Sequence, residues 1–453
     1  MTKVLHLVVA LVGGASALSA QGIQVQGSDP VTIGRGGVGV AFGRSLEAAG
    51  QNPALLVTLQ EDRSAHVAFG LESQAGTQTA ENNQERFWTS DRNRLLSAFG
   101  FAQRLSPSLA WGLKLDESFQ RHSELRMGAP SRFQGDAISL SAHRLEGQAA
   151  WSPAGRPELS FGLGLGVTRI GLELGNTIRA GIPQDPTQPA GFSNPYSGLA
   201  EISLREEGNA ISPSWTLGAR WALSSRWTLG ATLESPLSAN VDMTGRYRPE
   251  TLRVMASNGY GTPLSGTDAR AYQLVGTSGV RAGNGDVKLP ARFTLGLRQR
   301  QSQLLTWEVD VKWMGAGLQM PTFAALDTLS GPVGAPNRLG SNRSSLALKG
   351  MGEFTLSRAW LLRIGVGVAT GYRQDGQVDP MLGGAAQSTF SVGGGYKVWG
   401  GELSAGYLYH MDRDTDRRGL EGTWDSLGYR ASATKVRVEG SGHLLSLGFR
   451  RTF

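Results

Sequence analysis

From Ser64 to the last residue the chain alternates apolar and small or polar side chains with a period of two. The final stretch shows it plainly. Leu445, Leu447, Phe449, Arg451 and Phe453 fall on one face; Leu444, Ser446, Gly448, Arg450 and Thr452 fall on the other. The same pattern opens with Ala65, Val67, Phe69 and Leu71, and recurs with Leu159, Phe161, Leu163, Leu165 and Val167 opposite Ser160, Gly162, Gly164, Gly166 and Thr168. It continues through Trp215–Trp221, Trp227–Leu233, Phe293–Leu297, Leu305–Trp313, Trp360–Val368, Phe390–Val398 and Leu403–Tyr409. Residues 344–357 are the least regular of these segments. Segments of roughly ten residues with one bulky apolar face, repeated about fourteen times, predict an all-β fold: a transmembrane antiparallel β-barrel, apolar towards lipid and polar towards a lumen.

The connections sharpen this picture. Short ones fall at Ser106-Pro107, 152–157, Ser224-Ser225, Ser302, Ser357-Arg358 and Gly400-Gly401. Long ones cover about 75–93, 119–141, 173–210, 236–287, 314–343, 371–386 and 412–441. Strict alternation of six short turns with seven long loops fits an even-stranded barrel with both termini at the periplasmic end. Trp111, Trp151, Trp221, Trp227, Trp360 and Trp399 lie at or near short turns, where indole rings would form an interfacial girdle.

Charge enters on the faces opposite the apolar ones. Lys114, Asp116, Arg220, Glu234, Arg298, Glu308, Asp310 and Arg363 are all so placed. Lipid-facing charge costs about 2–4 kcal/mol at the bilayer midplane, so these side chains are expected to point into the lumen and pair there. A barrel this wide is a pore unless something fills it.

The N-terminus supplies both a route and a filler. Lys3, the apolar run Val4–Val12 and the small residues Ala15–Ala20 have the order of a secretory signal peptide, with cleavage after Ala17 or after Ala20. The expected division is therefore 1–20 signal peptide, 21–62 plug (hatch) and 63–453 barrel. Nothing after residue 20 provides the ~20 apolar residues of a membrane helix. The absence of cysteine excludes disulfides and thiolate chemistry. The net charge of +7 is dispersed with no basic run, which speaks against nucleic acid.

Two motifs carry less than they promise. Gly34-Arg35-Gly36-Gly37-Val38-Gly39 matches G-x-G-x-x-G, but neither the helix nor the acid that a dinucleotide site needs follows it. Flexible backbone in a plug accounts for it better. Asp412-Arg413-Asp414-Thr415-Asp416 starts like a calcium loop, yet Gly419 and Glu421 miss the spacing. No hydrolase, zinc-protease or phosphate-loop motif appears, so no enzyme, metal or cofactor is expected.

The run Gly34–Ala41 through Asn52-Pro53-Ala54-Leu55, together with Leu289–Gly296 and the ending Leu447–Phe453, resembles the FadL family of outer-membrane transporters of long-chain fatty acids and hydrocarbons. Leu55 replaces the small residue usual after Asn-Pro-Ala there, and the long loops carry no family signature. The resemblance implies a bacterial outer-membrane location and passive uptake of hydrophobic small molecules. It implies a hatch motif at Asn52, Pro53 and Ala54, and lateral release through a strand kink. It also implies ligand capture by the third and fourth long loops, where Phe192, Tyr196, Tyr247 and Tyr260 offer apolar surface and Arg246, Arg248 and Arg253 could hold a carboxylate or lipopolysaccharide phosphate. The terminal Phe453 resembles the signal read by the barrel assembly machinery. The competing reading is a general porin or a surface adhesin without hydrophobic-ligand transport.

Overall fold

The computed structural model describes residues 29–43, 50–59, 62–80, 86–90, 94–127, 137–183, 196–254, 262–263, 279–317, 326–328, 331–333, 344–371, 386–413 and 436–453. The expected signal peptide lies outside them.

Fourteen antiparallel strands form one closed barrel. They are β1 (Arg63–Ala80), β2 (Arg94–Ser106), β3 (Leu109–Met127), β4 (Ala137–Trp151), β5 (Leu159–Pro183) and β6 (Tyr196–Ala222). Next come two interrupted strands, β7 (Trp227–Glu234 with Leu237–Val254) and β8 (Gly279–Leu289 with Arg292–Arg300). Then follow β9 (Leu305–Met314), β10 (Ser345–Thr355), β11 (Trp360–Ala369), β12 (Ala386–Val398), β13 (Gly401–Arg413) and β14 (Val436–Thr452). Each pairs with its chain neighbour, and β14 pairs back onto β1 from Ser64↔Thr452 to Ala80↔Val436. No barrel edge is left unpaired by that closure, so every strand has two partners.

The period of two places the side chains as expected. Leu445 and Leu447 are exposed on the outside, while Leu444 and Ser446 are buried inside. The outer surface carries Phe69, Leu95, Leu165, Leu217, Leu295 and Leu403 among many others. At the short-turn end Trp151, Trp221, Trp360 and Trp399 are exposed, with Trp227 edge-on to Trp307 at 5.6 Å between ring centres. The short turns expected from the sequence all fall between strands here.

The long connections are a correction. Sequence alternation places loops at 173–210 and 236–287, but β5 runs on to Pro183, β6 begins at Tyr196, and β7 extends to Val254. Tyr196, Arg246, Tyr247, Arg248 and Arg253 therefore sit on strand backbone rather than in loops; their side chains, and all of Phe192 and Tyr260, lie outside the described residues. The physical reason is that a ladder propagates through backbone hydrogen bonds, whereas alternation is imposed only where one face meets lipid. Past the apolar band, strands continue without the signal that reveals them.

Two breaks in the wall stand out. Between β6 and β7, pairing runs to Asn209↔Asp242 and resumes at Thr216↔Glu234, so β7 carries one residue more than β6 across the gap. Ser235-Pro236 in β7 and Pro290-Ala291 in β8 absorb it together, and inward-facing positions change from even (Thr232) to odd (Leu237, Ala239, Val241). Pro213 and Pro236 have no N–H to give a ladder at this level. The second break lies between β2 and β3, where Arg94–Ser97 pair with β1 only, beside a bulge at Glu117/Phe119.

Leu165 projects from the middle of the apolar band and is 61% exposed. Leu165→Arg is expected to lower the unfolding free energy in lipid by about 2–4 kcal/mol, measured by reversible denaturant titration in vesicles. A loss below about 0.5 kcal/mol would mean that this face does not meet hydrocarbon.

Candidate functional site

Residues 29–43 and 50–59 lie inside the barrel, almost wholly buried. The first piece starts with a short helix, α1 (Pro30–Gly34), whose N-cap Asp29 accepts hydrogen bonds from the backbone N–H of Val31 (3.3 Å) and Thr32 (2.7 Å). Proline at the first helical position fits, because that N–H has no helical partner. The second piece is a 3-10 helix, Pro53–Thr58, capped by the Asn52 side chain through Ala54 N–H at 3.0 Å.

Asn52 does more than cap. Its amide donates to the carbonyls of Val40 (2.6 Å) and of Ala219 in β6 (3.0 Å). It thus ties the two lumenal pieces to each other and to the wall. Ser160 in β5 donates to the Ala54 carbonyl at 3.0 Å, fixing the next turn. The wall makes room with glycine. A Cβ on Gly162 would stand 2.3 Å from the Ala54 nitrogen, and one on Gly218 would stand 2.2 Å from the Asn52 side-chain oxygen. The small inward face of the strands is a seat for this segment. Leu56, Val57 and Leu59 complete it against Ala102, Ala110 and Ala150.

The glycine-rich motif has a definite task. Gly36 and Gly37 adopt positive φ (69° and 80°), and the chain after them presents N–H groups to the wall. Asp310 in β9 accepts from Gly39 N–H at 3.1 Å, and Glu308 accepts from Ala41 N–H at 2.7 Å. Lys312, on the same inward face, donates to the Gly37 carbonyl. A backbone concavity lined with N–H groups receives oxygen acceptors; here the acceptors are two carboxyl groups of the barrel itself. The motif therefore reads as a latch on the wall, in place of the nucleotide site that its spacing mimics.

Charged groups form two further networks. Arg35, 4% exposed, pairs with Glu353 at 2.6 Å. Glu353 also takes Arg363 at 3.0 Å, Arg363 reaches Glu402 at 2.7 Å, and Glu402 holds Arg450 at 3.0 Å. On the other side Lys114 pairs with Asp116 at 3.1 Å and donates to the Gly50 carbonyl at 3.1 Å. Glu234 holds Arg144 at 3.3 Å and Arg292. All eight lumenal charges singled out from the sequence face inward, and the structure distributes them among these groups and one cavity. Arg35, Arg144 and Glu353 were not singled out. Glu353 could have been found as the next inward position after Lys349 and Met351; for Arg35 no periodic signal existed, because it lies outside any strand.

The cavity is about 310 Å³ and is lined by Ala41, Phe42, Gly43, Leu55, Thr58, Arg220, Arg298 and Arg300. It lies at the short-turn end. The Arg298 guanidinium sits over the Phe42 ring at 4.2 Å. Among the described residues no group of histidines, cysteines or carboxylates is arranged to hold a metal ion.

A closed fourteen-stranded barrel with its N-terminal segment seated in the lumen is the architecture of an outer-membrane channel. Residues 11–453 match the family described as outer membrane protein transport protein (OMPP1/FadL/TodX), and the chain belongs to that family. It is accordingly a bacterial outer-membrane protein of a transporter channel family. No curated protein matches the sequence. Among solved structures, the fold is similar to that of a Pseudomonas aeruginosa FadL homologue, with TM-score 0.68 and 15% identity over 96% of this chain and 100% of that one. It is also similar to the toluene transporters TodX of P. putida (TM-score 0.65, 15% identity, 96% and 99% covered) and TbuX of Ralstonia pickettii (TM-score 0.59, 16% identity, 94% and 99% covered).

Gly162→Val is expected to push the Pro53–Thr58 helix off the wall while the barrel still closes. Planar-bilayer recording would then show at least a several-fold rise in ion conductance, with the heat-modifiable gel shift retained; unchanged conductance would mean that this helix does not limit the lumen.

Proposed function

We propose that this protein admits hydrophobic small molecules passively, and that they leave sideways through the wall between β6 and β7. The observation that carries this reading is the ladder gap itself. Over Ala210–Trp215 the regular pairing is replaced by a few contacts: Ser235 N–H to the Trp215 carbonyl at 2.9 Å, Trp215 N–H to the Ser235 hydroxyl at 3.0 Å, and Ser212 hydroxyl to the Ser238 carbonyl at 3.1 Å. A barrel wall without its ladder needs other means to satisfy backbone groups, and it can part without breaking a run of hydrogen bonds. Exposed Ile211 and Trp215 flank the gap on the lipid side, so an apolar molecule leaving there passes directly into hydrocarbon. An apolar cargo gains nothing from a polar exit, whereas transfer into lipid is favourable by about 25 cal/mol per Å² of apolar surface.

The N-terminal segment then acts as a hatch. It blocks the straight path, and Asn52 is the residue through which its two pieces and β6 move together. The strand-borne Arg246, Arg248 and Arg253, with Tyr196 and Tyr247, are proposed to gather ligand or lipopolysaccharide above the membrane, and Phe192 and Tyr260 are proposed to share that role. The names of the toluene transporters favour hydrocarbons as cargo, with fatty acids as the second class. The porin alternative requires an open lumen, and the seated segment argues against it. The beta-barrel assembly machinery is the proposed reader of Phe453.

Because the chain has no cysteine, a cross-link can be placed cleanly. With Ser212→Cys and Ser238→Cys joined by a short thiol cross-linker, uptake of toluene into proteoliposomes is expected to fall at least five-fold and to recover on cleavage of the link. Uptake that ignores the cross-link would send the cargo elsewhere, the β2–β3 break being the next place to join. Asn52→Ala is expected to alter uptake by several-fold in a barrel that still assembles, checked by the same assay and by gel migration.

A further inference from the structure

The outer wall carries a cation where the apolar band ends. On β5 the outward positions Phe161, Leu165 and Val167 lead to Arg169, exposed like them, while Thr168 and Ile170 are buried inside. Arg169 stands ten positions beyond Leu159, the first residue of the strand. On a strand tilted by about 40° ten residues climb roughly 25 Å, the height of a lipid-facing band. Other strands mark that height with amphipathic rings. Tyr407 and Tyr409 of β13 cluster with His443 of β14, and Trp313 is exposed near the end of β9. Arg169 is therefore at the outer headgroup level, where an arginine costs little.

Its neighbours form levels. Across the ladder Arg169 faces the exposed His143 of β4 and the exposed Ile211 of β6. On the membrane side lie Leu145, Val167 and Pro213, all apolar. On the far side lie Ser141, Gly171 and Asn209, all uncharged. The Ser141 hydroxyl is 2.8 Å from where a Cβ on Gly171 would stand, so it lies over the glycine and flattens this level into a shelf. Acids on β5 and β6 begin with Glu173 and its cross-strand partner Glu207, four residues or about 13 Å beyond Arg169. Arg205 already holds Glu173. Glu117, opposite His143 on β3, is two strands from Arg169, about 10 Å across the sheet.

Hydrocarbon, then a cation, then a flat uncharged shelf is the order in which a phosphorylated glycolipid presents acyl chains, phosphate and sugar. Arginine receives a phosphate on two parallel N–H donors. We propose that the outside of β4 to β6 binds lipid A, the phosphorylated glycolipid of the outer leaflet. A phosphate sits on Arg169 beside His143, the glucosamine on Ser141, Gly171 and Asn209, and acyl chains run down Leu145, Val167 and Leu165. The inference depends on the outer-membrane location and not on any transport step. Ile211 adjoins both Arg169 and the gap between β6 and β7, so the bound lipid borders that gap.

The test titrates the full chain in detergent with bisphosphorylated lipid A, with the same lipid stripped of both phosphates, and with inorganic phosphate, read by native mass spectrometry. The phosphorylated lipid is expected to bind at least ten-fold more tightly than the stripped one. Arg169→Gln should lower its affinity at least five-fold. Arg358→Gln, which changes an exposed arginine in a periplasmic turn, should leave it unaltered. If Arg169→Gln fails to fold, His143→Gln reads the same site with an expected loss of at least two-fold, and the comparison of the two lipids needs no variant. Equal binding of the two lipids overturns the site, as does an unchanged affinity in a folded Arg169→Gln. An equal loss in Arg169→Gln and Arg358→Gln also overturns it, since attraction to net charge would then be the whole effect. Inorganic phosphate that displaces the lipid at comparable concentration would make this a free-anion site and remove lipid A as its ligand.

Discussion

Hydrocarbon offers no hydrogen bonds, and this single fact organises the molecule. Every backbone N–H and C=O within the bilayer must find its partner in the protein, so the sheet has to close. The pairing of β1 with β14 is that closure. Once it is made, one face of every strand must be apolar and the other is free to be anything. The outside becomes a near-uniform band of Leu, Phe, Val and Trp. The inside becomes available for glycine seats and charge networks.

The lumen solves a second problem with the same currency of paired polar groups. A segment lying inside a barrel brings its own backbone donors, which lose water when it is seated. Asp310 and Glu308 accept from Gly39 and Ala41, Asn52 caps its helix and binds Val40 and Ala219, and Ser160 donates to Ala54. The wall carboxylates are in turn held near lysine and arginine. Burying charge is costly unless it is paired and hydrogen-bonded, and here Glu308, Asp310 and Glu353 of the wall each hold a group of the segment. That arrangement holds the segment by many modest contacts, a mode of attachment that can shift stepwise.

Against that background the departure from regularity in the wall gains meaning. The wall is laddered nearly everywhere, and the extra residue of β7 opposite Asn209–Thr216 interrupts it from Trp215 up to the polar outer positions Ser238 and Asn240. The cavity lined by Arg220, Arg298 and Arg300 lies on the same strands, at the periplasmic end.

The alternation in strands such as Leu159–Thr168 and Leu444–Phe453, the short turns and the girdle of tryptophans were legible from the chain alone, because lipid imposes a period of two on any strand that crosses it. So was the inward aim of Lys114, Glu308 and Arg363, for the same reason. The strand backbone at Tyr196 and Arg246–Arg253 was not legible, since beyond the bilayer no solvent boundary writes itself into the residues. Nor was the pairing of Arg35 with Glu353, 318 positions apart in sequence, or the convergence of Arg220 with Arg298 and Arg300. Those depend on which strands stand side by side at which height, and that is settled by register and closure rather than by any local pattern.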